Sequence, residues 1–109
     1  DDTVEAIIRS AIVEKAYGEI FNVGSDIPVS FLELVKTIID VAKQGKWNYA
    51  EFSQERKAQE PGDFYSDISK IEKIVGWRPT TTLEDGLAKT IDYYSKNREY
   101  YWSKQLQLK

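Results

Sequence analysis

Histidine and cysteine are both absent from this chain of 109 residues. The commonest general base, the usual soft metal ligands and the thiolate nucleophile are therefore unavailable, and neither a zinc site nor a catalytic residue is assigned. What polar chemistry remains concentrates in one stretch, Gln54, Glu55, Arg56, Lys57, Gln59 and Glu60, followed by Pro61-Gly62-Asp63-Phe64-Tyr65. Arg56 is the only guanidinium between Ser53 and Gly62, with the Lys57 ammonium beside it. Both are groups for binding an anion, the guanidinium through paired N–H donors. Asp63, directly after Gly62, can order a loop by accepting from nearby backbone N–H groups. The glycines at 18, 24, 45, 62, 76 and 86 are too scattered for a phosphate-binding fingerprint.

The elements that must position these residues follow from caps and periodicity. Asp67 precedes Ile68, Ile71, Ile74 and Val75, the spacing of one apolar helical face, and its carboxylate can accept from first-turn N–H groups. Gly76 suits a left-handed stop and Pro79 forbids resumption. Thr82 with Asp85 forms a variant capping box before a helix carrying Leu87, Ile91, Tyr94 and Tyr101. Upstream, Asp1, Asp2 and Glu5 place negative charge at a helix start. Val4, Ile7, Ile8, Ala11 and Ile12 then form an apolar stripe expected to run on to Tyr17, with Gly18 after the end. Ser30 and Glu33 open a helix over 31–44 with a broad apolar face of Phe31, Leu34, Val35, Ile38, Ile39 and Ala42. Residues 19–23 and 46–52 are β-prone and are expected to be short strands, and the polar segment 53–62 a solvated loop.

The length suits one small domain, burying roughly two-thirds of its unfolded surface. A net charge of −3 argues against a nucleic-acid footprint. No apolar run approaches the roughly 20 residues needed to cross a bilayer, and no signal peptide is visible, so a membrane role is not expected and a cytoplasmic location is. Methionine is absent even at position 1, which suggests a processed chain or an excised piece of a longer one.

Four motifs stand in a telling order: Gly62-Asp63, Asp67-Ile68-Ser69-Lys70, Gly76-Trp77-Arg78-Pro79 and Leu83-Glu84-Asp85-Gly86-Leu87. Asp1-Asp2-Thr3-Val4 and Phe21-Asn22-Val23-Gly24 extend the pattern to the start of the chain. The set resembles the C-terminal end of the extended short-chain dehydrogenases/reductases, the NAD-dependent epimerases and dehydratases that act on nucleotide sugars. The resemblance implies an α+β fold for residues 1–109, a small, mostly helical domain with a few short strands. It would be the C-terminal, substrate-binding portion of a longer enzyme whose Rossmann NAD-binding domain lies elsewhere.

By that resemblance NAD belongs to the parent and no cofactor to this portion, which would not be catalytic alone. The family's proton-transfer pair is Tyr-x-x-x-Lys. Tyr100 and Lys104 have the spacing, but they follow every other motif and lack a preceding cofactor loop, so it is read as coincidence on an amphipathic helix. A nucleotide-sugar partner is implied, with Arg56, Lys57, Asp63 and Tyr65 as its candidate contacts. The family's arginine before Gly-Asp is replaced here by Glu60, which leaves Arg56, with Lys57 as runner-up, for the diphosphate. Tyr65 would meet the sugar or pack in the core, and Trp77 is read as core rather than as a base-stacking platform. By the resemblance, loss of a pairing segment leaves unpaired backbone groups beside Glu19–Val23 and uncovers apolar surface around Ile7, Ile8 and Trp102, so self-association or a poorly ordered strand is expected. The alternative is a free-standing α+β module whose loop binds a protein partner and no sugar nucleotide.

Overall fold

The computed structural model describes residues 1–60 and 65–102. Its described residues form six α-helices and a single 3₁₀ turn: α1 (Asp2–Ile12), the turn (Glu14–Ala16), α2 (Phe31–Ala42), α3 (Gln54–Gln59), α4 (Ser69–Val75), α5 (Leu83–Lys96) and α6 (Arg98–Tyr101). They divide into two compact units, Asp1–Ser30 with Asn48–Thr81, and Phe31–Trp47 with Thr82–Lys109.

The first unit is built on α4. Asp67 Oδ1 accepts from Ser69 N–H at 2.9 Å, and Gly76 ends the helix in the left-handed region at φ 70°, its N–H returning to Glu72 O. Ile68, Ile71, Val75 and Trp77 are buried together with Ala6 of α1 and Ala16 of the 3₁₀ turn. Trp77 is 1% exposed and its indole Nε1–H donates to Asp2 O at 3.1 Å, so it is core, as its place after a helix stop suggests.

The face of α1 turned to this core is not its apolar stripe. Asp2, Ala6, Arg9 and Val13 carry the contacts: Asp2 carboxylate oxygens accept from Thr80 N–H at 3.1 Å and Thr81 N–H at 2.9 Å, and Arg9 donates to Gly76 O at 2.9 Å. Val4, Ile7, Ile8 and Ile12 stay 57–72% exposed. The α-helix also stops at Ile12 rather than near Tyr17. Val13 is extended, and the 3₁₀ turn that follows buries Ala16 against α4.

The expected α+β class is corrected: the described residues are helical and contain no strand. A strand exists through a hydrogen-bonded backbone ladder, and among the described residues none forms along 19–23 or 46–52. Glu19–Gly24 is held instead by side chains. Lys70 Nζ lies 2.8 Å from Glu19 and 5.4 Å from the centre of the Phe21 ring, and Asn22 Nδ2 donates to Asp67 O. Gly24 packs so close to Ser66 that a Cβ there would stand 2.7 Å from Ser66 Oγ. The expected loop 53–62 is corrected in part as well, because Gln54–Gln59 is helical.

In the second unit α2 packs on α5, with Leu34, Val35, Ile39 and Ala42 half-buried on one helix and Leu87 and Ile91 on the other. Thr82 Oγ1 caps α5 by accepting from Asp85 N–H at 3.1 Å, and the expected return contact from Asp85 comes to the Thr82 hydroxyl, at 2.9 Å, rather than to its backbone N–H. The helix breaks at Asn97, whose backbone and side-chain N–H groups both reach Tyr93 O. The short α6 then brings Tyr101 and Trp102 against Tyr94, at ring-centre distances of 4.8 and 6.0 Å. No helix among the described residues is long and apolar enough to cross a membrane.

Candidate anion-binding site

The two candidate cations sit side by side on α3, a helix assembled from strong helix formers behind a serine. Ser53 Oγ accepts from Arg56 N–H at 3.2 Å and Ser53 O from Lys57 N–H at 2.9 Å. Glutamine, glutamate, arginine, lysine and alanine at 54–59 all favour the helix. Ser53 followed by that composition was the signal for α3, and polarity alone concealed it.

Each cation has its own carboxylate. Arg56 Nη2 stands 3.7 Å from Glu60 one turn along the helix, and Lys57 Nζ stands 3.9 Å from Glu51. Both distances exceed hydrogen-bond length, so these are loose, solvent-screened pairs. Beneath the Arg56 guanidinium lies the Phe52 ring, its centre 5.7 Å from Cζ. Phe52 and Lys57, with Tyr49, Ala50 and Glu51, line a shallow concavity of about 230 Å³. Sequence reasoning named neither Tyr49 nor Phe52 as part of a site. Tyr49 is 84% exposed.

The other candidates are placed differently. Tyr65 is exposed, with no core packing, and is not one of the described walls of the concavity. Asp63 lies outside the described residues, as do Gly62 and Lys104. The remaining arginines of the first unit are committed to protein oxygens: Arg9 to Glu5 and Gly76 O, Arg78 to Glu72 at 2.9 Å and to Asp26. Glu72, then Asp26, hold the Arg78 guanidinium above its ordinary pKa.

Two carboxylates are structural rather than chemical. The backbone N–H of Thr81 leads the hydrogen bonds that hold Asp2 below the ordinary carboxylate range, and the Ser69 hydroxyl and N–H do the same for Asp67. The described residues contain no cluster of three carboxylates suited to a metal ion. Among the described residues no glycine-rich cradle for a dinucleotide forms either. Gly18, Gly45 and Gly76 take positive φ at separate turns, and Gly24 lies against Ser66.

Comparison with known proteins places this geometry in context. No family profile matches the chain, and no solved structure matches it. Curated proteins do. The dTDP-D-glucose 4,6-dehydratase of Mus musculus is 31% identical over 106 residues, which is 88% of this chain and 28% of that protein. The dTDP-glucose 4,6-dehydratase of Streptomyces griseus is 30% identical over 84 residues, 77% of this chain and 25% of its own length. Protein CapI of Staphylococcus aureus is 29% identical over 87 residues, 76% of this chain and 23% of its own. The chain thus spans about a quarter of the length of the curated relatives it matches. Over most of its own length the chain is similar to dTDP-glucose 4,6-dehydratases.

Proposed function

We propose that this chain is the C-terminal, nucleotide-sugar-binding portion of an NAD-dependent epimerase or dehydratase of the extended short-chain dehydrogenase/reductase group, a cytoplasmic enzyme. The observation that carries the reading is the pair Arg56 and Lys57. They are held side by side on a capped helix beside an aromatic-lined concavity, in a chain similar to dTDP-glucose dehydratases over 88% of its length. In this reading Arg56 meets the diphosphate with two N–H donors, Lys57 supplements it as a point charge, and Tyr65 and Asp63 lie on the sugar side.

NAD supplies hydride chemistry in the parent and is held by a Rossmann domain carried elsewhere in that polypeptide, so this portion is not catalytic by itself. The same domain covers the apolar stripe Val4, Ile7, Ile8 and Ile12, and without it the chain self-associates. The interaction-module alternative is not favoured by any feature of the site.

Arg56→Ala in the polypeptide that carries this chain should weaken dTDP-glucose binding roughly ten- to a hundred-fold, since a charged hydrogen bond is worth about 1.5–3 kcal/mol. Affinity for NAD should be unchanged, and Arg56→Lys should recover only part of the loss. Isothermal titration of the wild type, Arg56→Ala and Lys57→Ala decides it. Equal affinities for all three would retire the assignment.

A further inference from the structure

A guanidinium that binds a diphosphate has to meet it with its fork uncommitted and its plane supported, because a free arginine side chain loses much rotamer entropy on capture. Arg56 satisfies both conditions in an unusual way. Among the described residues its guanidinium makes no hydrogen bond, only the 3.7 Å approach to Glu60, whereas Arg9 and Arg78 are tied to oxygens at hydrogen-bond distance. Its Cζ lies over the Phe52 ring, 5.7 Å from the ring centre. Phe52 also walls the adjacent concavity, so ring, guanidinium and hollow form one surface. Glu60 stands one helical turn after Arg56, close enough to attract its charge and too far to occupy its donors.

We infer that Phe52 and Glu60 set Arg56 for anion binding. Phe52 is a positioning residue that holds the guanidinium beside the concavity, and Glu60 is a resting counter-ion that an incoming diphosphate displaces. This rests on the reading of Arg56 as the diphosphate ligand. The exchange needs no covalent step. A diphosphate brings more than one negative charge and several oxygens within hydrogen-bond reach, against one carboxylate held loosely, so it wins the fork. The cation–π attraction to the ring occupies none of the N–H donors, which stay available for those oxygens. Glu60 also discriminates: a weak, singly charged anion gains little by replacing it.

The probes are inorganic pyrophosphate and dTDP-glucose, titrated at low ionic strength into wild type, Phe52→Leu, Phe52→Tyr, Glu60→Gln, Arg56→Ala and the double variant Arg56→Ala/Glu60→Gln. Phe52→Leu keeps an apolar side chain and should weaken binding about two- to five-fold, the size of an exposed cation–π contact, and Phe52→Tyr should restore it. Glu60→Gln should tighten binding by up to about five-fold, and only while Arg56 is present. Wild-type affinity in Phe52→Leu, unchanged or weaker affinity in Glu60→Gln, or the same tightening in the double variant would overturn the inference, provided Arg56→Ala binds weakly. If Arg56→Ala binds as wild type does, the underlying reading of Arg56 falls instead.

Discussion

Replacing Trp77 by phenylalanine tests the core and the function together. Trp77 is 1% exposed among Ala6, Ala16, Ile68, Ile71 and Val75, and its Nε1–H donates to Asp2 O at 3.1 Å. Phenylalanine keeps the apolar contact but removes the donor, which is worth about 1 kcal/mol for a typical neutral hydrogen bond. The smaller ring leaves a void of roughly 40 Å³, which at about 24 cal/mol per Å³ adds about 1 kcal/mol. Trp77→Phe should therefore destabilise the first unit by about 2 kcal/mol, and Trp77→Ala by about 3–5 kcal/mol. The larger loss approaches the whole stability of a small domain. Urea unfolding followed by far-ultraviolet circular dichroism measures it as a lower midpoint at unchanged slope. An unchanged midpoint for Trp77→Phe, with weakened nucleotide-sugar binding, would refute the reasoning and make Trp77 a stacking platform after all.

The other expectations are narrower. Gly24→Ala would place its Cβ 2.7 Å from Ser66 Oγ and 3.1 Å from Ser66 Cβ, so it should destabilise by about 1–3 kcal/mol. Adding Ser66→Gly should return most of that, a coupling that a double-mutant cycle reads directly. Asp2 and Asp67 both have folded pKa values below the unfolded one of about 3.9, so the unfolded state binds more protons in that window. Their contribution is fully present above that value and lost as pH falls through the lowered folded one. An acid titration of stability should show this limb, and Asp2→Asn with Asp67→Asn should flatten it. Ile7→Ser/Ile8→Ser alters side chains 64% and 57% exposed, so it should lower self-association in sedimentation velocity without lowering the unfolding midpoint. A lower midpoint would mean the stripe is packed.

Local signals were legible wherever a single turn decides the outcome. Asp67 before α4, Gly76 with its positive φ after it and Thr82 with Asp85 at α5 all act within a few residues, and each is found as the residue types imply. Part of the faces of α2 and α5 was legible too, since Leu34, Val35, Ile39 and Ala42 and Leu87 and Ile91 are half-buried on the 3.6-residue period, while Phe31, Ile38 and Tyr94 of the same expected faces stay exposed. The α3 helix was readable and was hidden only by weighing polarity above the Ser53 cap and the helix-forming run behind it.

For the candidate site, residue type pointed to Arg56 and Lys57, since only those groups of the stretch can meet an anion. Their loose pairing with Glu60 and Glu51, and the Phe52 ring under the guanidinium, depend on where α3 turns its side chains. The strands at 19–23 and 46–52 were over-read from composition, because β-propensity describes a side chain's fitness for a paired surface and cannot supply the pair. The stripe of α1 shows the same limit. Its period is intrinsic to the helix, but which face meets α4 was decided by Asp2 reaching the N–H groups of Thr80 and Thr81 and Arg9 reaching Gly76 O. Those groups are 67 to 79 residues apart in the chain, a separation that no local pattern encodes and only the tertiary fold closes.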